Sequence, residues 1–197
     1  MTDGGLVTTL GDSGDDELLR GVAAGDRWAL RRLMDRHGSA MLALAERTTG
    51  NAADADELVQ EAFLKVWTMA PRWRADGGAL FSTWLYRVVL NASLDRRRRR
   101  PLHALDEAGD LADPAAGGLE LAVASQRQSV LRGALAELPE RQRAALVLHY
   151  FGETSAPEAA RILNLSLSAM ESLLVRGKRA LRQALARRGV TGLGDVL

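Results

Sequence analysis

The stretch LPERQRAALVLHYFGETSAPEAARILNLSLSAMESLLVRGKRALRQALARR, residues 138–188, reads as helix, helix, tight turn and a third helix with a positive end. Pro139 sits where a first helical turn tolerates proline, and Leu146, Val147, Leu148, Tyr150 and Phe151 supply an apolar face behind it. Gly152 ends that helix. Ser155 followed three residues later by Glu158 is a capping-box pattern, with Pro157 in the first turn, where its missing N–H does no harm. The next helix is expected to run to Leu163, Asn164 to turn the chain through the left-handed region, and Ser166 or Ser168 to cap the last helix. Two helices crossed over so short a turn have the shape of a helix-turn-helix DNA reader, whose last helix enters the major groove. The same spacing also suits a purely structural helical packing. Arg176, Lys178, Arg179, Arg182, Arg187 and Arg188 tip the balance, because cations at a helix C-terminus suit its dipole and also reach phosphates.

Outside that block the composition is that of a helical protein. Of 197 residues, 47% are hydrophobic but only 5% aromatic, with abundant Ala, Leu and Arg, which predicts an all-α fold without strands. The length suits two small domains. With no cysteine there is no disulfide, thiol nucleophile or cysteine-ligated metal, and a reducing cytoplasm is the expected home. Neither a signal peptide nor an apolar run of membrane-spanning length is visible, so no membrane insertion is expected. A net charge of +1 conceals blocks of opposite sign.

Residues 1–14, rich in Gly, Thr and Asp, read as a disordered leader. From Asp15 helical spacing carries Leu18, Leu19 and Val22 and, after a break at Gly25 and Asp26, Trp28, Leu30, Leu33, Met34, Met41, Leu42 and Leu44. Gly50 and Asn51 mark a turn. A further helix then buries Leu58, Val59, Ala62, Phe63 and Val66 and exposes Asp54, Asp56, Glu57, Gln60, Glu61 and Lys65. Asp54 and Asp56 alone suit the helix dipole, whereas the longer acidic and amide surface also suits protein docking. Residues 71–78 break the helix around Trp73 and Arg74, and a helix from Phe81 resumes with Ser82, Trp84, Tyr86, Arg87, Asn91 and five consecutive arginines from Arg96. Rings stack on bases and guanidinium groups hold the backbone, so this mixture suits single-stranded nucleic acid, although Phe81 and Trp84 also suit a core. Five adjacent like charges repel unless a polyanion neutralises them. Pro101 stops that helix, and residues 101–124, acidic and free of lysine and arginine, read as a flexible linker with a short helical piece near Leu119. No Walker loop, dinucleotide fingerprint, metal-spaced His cluster or nucleophile-base pair is present, so neither an enzyme nor a cofactor is expected.

An acidic docking helix, an aromatic and arginine-rich helix, an acidic linker and a terminal helix-turn-helix resemble, in that order, the sigma-70 family of bacterial transcription initiation factors, in its compact extracytoplasmic-function group. The pieces that carry the resemblance are residues 56–67 (DELVQEAFLKVW), residues 81–87 (FSTWLYR) with Asn91 and Asp95, and residues 138–143 (LPERQR). The resemblance implies a region 2 domain over residues 15–100 and a region 4 domain over 125–188, with a tail from 189 to 197. It implies that Asp56, Glu57, Gln60, Glu61, Leu64, Lys65 and Trp67 dock on the clamp helices of the largest subunit of core RNA polymerase, and that region 4 meets the flap. Trp73, Arg74, Phe81, Ser82, Trp84, Arg87, Asn91, Arg96 and Arg97 would face the minus-ten element and help part its strands. Ser155, Ser168, Glu171, Ser172, Val175, Arg176, Lys178 and Arg179 would meet the minus-thirty-five element. An anti-sigma factor is the further partner implied. Glu171, Leu173 and Val175 depart from the basic or polar residues frequent on the family's reading helix, leaving cytosine and thymine-methyl contacts as the available readout. The competing reading is an autonomous helix-turn-helix regulator that binds duplex DNA as a dimer without polymerase; nothing in the sequence resembles a dimerisation helix or a ligand pocket.

Overall fold

The structure is a computed structural model that describes residues 14–74, 80–99, 119–152 and 154–190. The expected leader up to residue 13, the centre of the 71–78 loop, the acidic segment 101–118 and the tail beyond 190 lie outside the described residues. Within them the fold is all-α, with eight α-helices. They are α1 (Asp15–Ala23), α2 (Arg27–Thr49), α3 (Ala52–Met69), α4 (Phe81–Arg99), α5 (Leu119–Ala136), α6 (Glu140–Leu146), α7 (Ala156–Leu163) and α8 (Leu167–Arg187). A 3-10 turn at Ala70–Arg72 ends α3, and a π-helical turn at Val147–Phe151 extends α6. Helix α5 begins inside the segment read as linker, so Leu119–Ala136 is helical well before residue 125.

Local chemistry sets most boundaries. The Asp26 carboxylate accepts from the Trp28 N–H at 2.8 Å and starts α2, and the Asn51 side chain accepts from the Asp54 N–H at 2.9 Å and starts α3. Ser155 and Glu158 form the expected capping box on α7. Asn164 takes φ of 54°, the left-handed conformation that its side chain tolerates better than most. Ser166, not Ser168, caps α8, accepting from the Ala169 N–H at 3.2 Å. Pro139 stands one residue ahead of α6 as its N-cap, where its carbonyl accepts from the Gln142 and Arg143 N–H groups.

Helices α1 to α4 enclose Leu19, Leu33, Met41, Leu44, Phe63, Val66, Leu85 and Val89, while α5 to α8 enclose Leu135, Leu146, Leu148, Met170, Leu181 and Leu185. Each such fully buried side chain contributes about 1.5–3 kcal/mol. Gly177 lets α8 cross α6 closely, since a Cβ there would sit 3.0 Å from Leu146 Cγ and 3.2 Å from the Gln142 carbonyl oxygen. The two halves do not stand apart: their apolar side chains form one continuous cluster, with α4 against α7 and α2 against α5 and the π turn.

Candidate functional site

Helix α3 turns the expected surface outward. Leu58, Phe63, Ala62 and Val66 are buried, Val59 is half-buried, and Asp56, Glu57, Gln60, Glu61, Leu64 and Lys65 are exposed. Leu64 is 66% exposed amid carboxylates, an apolar side chain with nothing of this chain over it among the described residues. Trp67 is half-buried at the edge of that face. Arg96 of α4 reaches it, with Nη1 donating to Asp54 Oδ1 at 3.0 Å and Glu57 Oε2 at 2.9 Å and Nη2 lying 3.7 Å from Glu61 Oε1. The hydrogen bond to Glu57, joined by that to Asp54, holds this guanidinium above its ordinary pKa against the opposing effect of burial. A residue expected to face DNA is therefore tied to two residues expected to face polymerase.

The aromatic group at the start of α4 is more structural than its sequence suggests. Phe81 is buried, packs edge-on against His37 and Trp73 and stacks near Trp84, so its ring is core and is not free to stack on a base. Trp73 is half-buried and its Nε1 donates to Asp16 Oδ1 at 3.0 Å. Trp84 and Ser82 are half-buried, and Arg74 and Asn91 are exposed. Arg87, which stays exposed, and Arg97, which is half-buried, both donate to carbonyls of the other half. Arg87 Nε donates to the Ile162 carbonyl at 3.2 Å and its Nη2 to that of Arg161, whereas Arg97 Nη2 donates to the Ala136 carbonyl at 2.7 Å.

On α8 the residues Ser168, Glu171, Ser172, Val175, Arg176 and Arg179 are all exposed, and their spacing puts Ser168, Ser172, Val175 and Arg179 on one stripe. Val175 is 70% exposed. Leu173 faces inward, so it belongs to the core and not to the reading surface. With Ser166 as the cap, Glu171 lies outside the capping positions, which removes the alternative that it serves a capping box with Ser168. Lys178 is less free than its neighbours, its Nζ lying 4.8 Å over the Tyr150 ring. The Ser155 hydroxyl is occupied by the cap of α7.

Arg143 was legible only as a letter of the LPERQR stretch, yet it is the most buried charged side chain described. Its Nη1 donates to the Thr48 carbonyl at 3.2 Å and its Nη2 to that of Leu138 at 3.0 Å. Burial, then repulsion from Arg97, pushes its pKa down to about 10, with Glu140 acting in the opposite sense. The signal in the sequence was faint, an arginine at the end of the polar stretch 140–143 that directly precedes the apolar run from Ala144 to Leu148.

The chain itself matches a known helical class. Residues 33–101 match the model of sigma-70 region 2, and residues 128–181 match that of sigma-70 region 4. Over 174 residues the chain is 37% identical to the ECF RNA polymerase sigma factor SigM of Mycobacterium tuberculosis, covering 87% of this chain and 84% of that one. It is 30% identical over 184 residues to the ECF RNA polymerase sigma factor SigW of Bacillus subtilis, covering 85% and 94%. The solved structure of CnrH in complex with the cytosolic domain of CnrY is similar at a TM-score of 0.65 and 30% identity, covering 89% of this chain and 99% of CnrH. The chain therefore belongs to the sigma-70 family, in its extracytoplasmic-function group, and as such binds core RNA polymerase and directs promoter-specific transcription initiation. No helix among the described residues is long and apolar enough to cross a membrane.

Proposed function

We propose that this sigma factor divides its work among three surfaces: α3 docks on the polymerase clamp, α4 with the loop before it grips the minus-ten strand, and α8 reads the minus-thirty-five duplex. Catalysis stays with the polymerase, and the protein acts in the cytoplasm. The observation that carries the docking assignment is Leu64, exposed within a rim of Asp56, Glu57, Gln60, Glu61 and Lys65. An apolar anchor inside a charged rim is the anatomy of a protein interface, with the rim steering encounter and the anchor holding it. On α8, phosphate contacts fall to Arg176 and Arg179, and base edges to Glu171, Ser172 and Val175. Phe81 packs against Trp73 and Trp84 as core, which leaves Trp73, Trp84 and Arg74 to meet the strand. The CnrH structure carries a second protein, the cytosolic domain of CnrY, and this supports a further protein partner here, which we assign to the anti-sigma class.

Pull-down with core polymerase, alongside far-ultraviolet circular dichroism, tests the docking surface. The double variant Glu57→Lys/Glu61→Lys should keep its helicity and lose core affinity by about tenfold, or roughly 1.4 kcal/mol. Undiminished affinity would discard α3 as the dock. Tight binding of a labelled promoter duplex without polymerase would favour an autonomous regulator instead.

A further inference from the structure

Helix α1 carries none of the surfaces assigned above, and it lies ahead of residues 33–101, the span matched to sigma-70 region 2. Its first turn nevertheless forms one wall of the aromatic group. Asp16 Oδ1 accepts from Trp73 Nε1 at 3.0 Å, across 57 positions of chain. Trp73 stands edge-on to Phe81, with ring centroids 6.0 Å apart at 89°, and to Trp84, at 6.3 Å and 67°. Phe81 lies 6.1 Å from Trp84 at 25° and meets the His37 ring edge-on at 5.5 Å. The circuit closes on α1, because His37 Nε2 lies 2.9 Å from Asp15 Oδ2. Two adjacent carboxylates of one helical turn thus hold the two ends of a chain of rings that runs His37, Phe81, Trp84, Trp73.

The two carboxylates act differently. Asp15 also accepts from Arg36 Nη1 at 2.6 Å, and with His37 this pins the start of α1 to α2. Leu18, Leu19 and Val22 bury another face of α1 in the core, so the helix cannot turn about its axis. Asp16 is thereby fixed as an exposed acceptor. Trp73 is the ring that needs one, because it leaves the 3-10 turn Ala70–Arg72 in an extended conformation and no helix sets the plane of its indole. Edge-on ring contacts accept a range of angles, whereas an N–H···O bond is directional. The bond has a chemical consequence too. The one donor of the indole is spent on Asp16, so Trp73 offers a base its π face and no hydrogen bond, and such stacking is tolerant of base identity.

We propose that Asp16 is a positioning residue for strand opening: by holding the Trp73 N–H it fixes the plane of the indole on which an unpaired base of the minus-ten strand stacks. The proposal rests on the reading of Trp73 as a ring that meets the strand. Asp16 acts through Trp73 and not on a base, and its charge repels phosphates, so the strand turns its bases and not its backbone toward α1. Loss of the Asp16 acceptor then lowers strand opening and spares the binding of duplex promoter that precedes it.

The test uses holoenzyme, the full chain with core polymerase, at a promoter recovered by selection with that holoenzyme. Permanganate reactivity of the minus-ten thymines reports opening, and a mobility shift in the cold reports initial binding. In the free chain the Trp73 indole N–H, one of four, is assigned in a proton–nitrogen correlation spectrum by its loss in Trp73→Phe. Asp16→Ala should move that signal upfield and lower the opening equilibrium about fivefold, the worth of one exposed hydrogen bond, with initial binding unchanged. Asp16→Asn, which keeps an acceptor oxygen, should restore opening to within about twofold of the parent. Glu17→Ala removes a neighbouring charge of the same turn and no contact to Trp73, and should match the parent in signal and in opening. An unmoved Trp73 signal in Asp16→Ala, or an equal loss of opening in Glu17→Ala, overturns the positioning role. Normal opening in Asp16→Ala beside defective opening in Trp73→Ala overturns it too, and leaves the assignment of Trp73 to the strand in place. Normal opening in both variants overturns the proposal together with that assignment.

Discussion

Helices α4 and α8 both carry arginines that we propose meet DNA, but they present them differently. On α4, Arg87, Arg96 and Arg97 each close on a group of this same chain, a carboxylate of α3 or a carbonyl of the other half. On α8, Arg176 turns back only to the Ser172 carbonyl of its own helix, and Ser172, Val175 and Arg179 face outward. The difference lies in what surrounds the guanidinium groups. Two helix ends, those of α5 and α7, turn their last carbonyls toward α4, whereas the outer face of α8 has only its own turns beneath it. On the proposed assignment, the α4 arginines must exchange these partners to meet a strand, while the α8 residues already face outward.

The largest break in this comparison should come from Arg143→Ala. It leaves the Thr48 and Leu138 carbonyls without their buried donor and opens a cavity between the halves, a loss of about 2–4 kcal/mol. Urea denaturation followed by circular dichroism should show the single transition of the parent split into two, one for each half. A single transition at an unchanged midpoint would mean that this contact between the halves adds nothing to stability.

Glu171→Ala should cost less and act only on the free surface. If its carboxylate accepts from a cytosine amino group, about 1–3 kcal/mol of discrimination is lost at one base pair of the minus-thirty-five element. Because Glu171 takes no part in the Ser166 cap, stability should stay within roughly 0.5 kcal/mol of the parent. Selection from a randomised upstream library in the presence of polymerase decides the matter, and an identical consensus would shift specificity to Ser172 and Val175.

The salt dependence of binding separates the two helices more finely. Arg179→Ala should flatten the logarithmic salt slope on duplex DNA by about 0.9 in every state of the protein. Arg87→Ala should leave single-strand binding by the free chain with its slope intact and flatten it by about 0.7 once polymerase is bound. Equal slopes for Arg87→Ala in both states would show that its carbonyl contacts are lost in solution.

The smallest effect lies away from both helices, at Asp15. Burial raises the pKa of its carboxyl, but hydrogen bonds from His37 and Arg36 outweigh that and hold it below the ordinary 3.8. A folded value below the unfolded one gives stability that is present above about pH 4 and lost as pH falls through the folded value. Asp15→Asn should therefore blunt the acid limb of a thermal-melt series below pH 4.

Much of this molecule is written in short-range pattern. Asn51, Ser155 with Glu158, and Asn164 announce helix starts and stops because caps and left-handed turns depend on neighbours a few residues away. The outward face of α3 follows from helical period alone. Partners separated by most of the chain leave no such trace. Nothing within the FSTWLYR stretch says that Phe81 lies under His37, or that Arg87 ends on α7, because those contacts are set by how the halves pack. Arg143 illustrates the same limit: a guanidinium beside an apolar run is visible, but the α2 carbonyl that receives it is 95 positions away.

Arg96 carries one more consequence, in the language of linkage. Its guanidinium is shared between the face we propose for polymerase and the helix we propose for DNA, which couples the two proposed bindings. If basic groups of the polymerase engage Glu57 and Glu61, Arg96 keeps only Asp54 as an intramolecular anion and gains affinity for a phosphate. Thermodynamic reciprocity then requires that the factor by which core tightens the strand equal the factor by which the strand tightens core. Arg96→Gln should shrink both factors together, making this one side chain a common term in two equilibria measured at opposite sides of the domain.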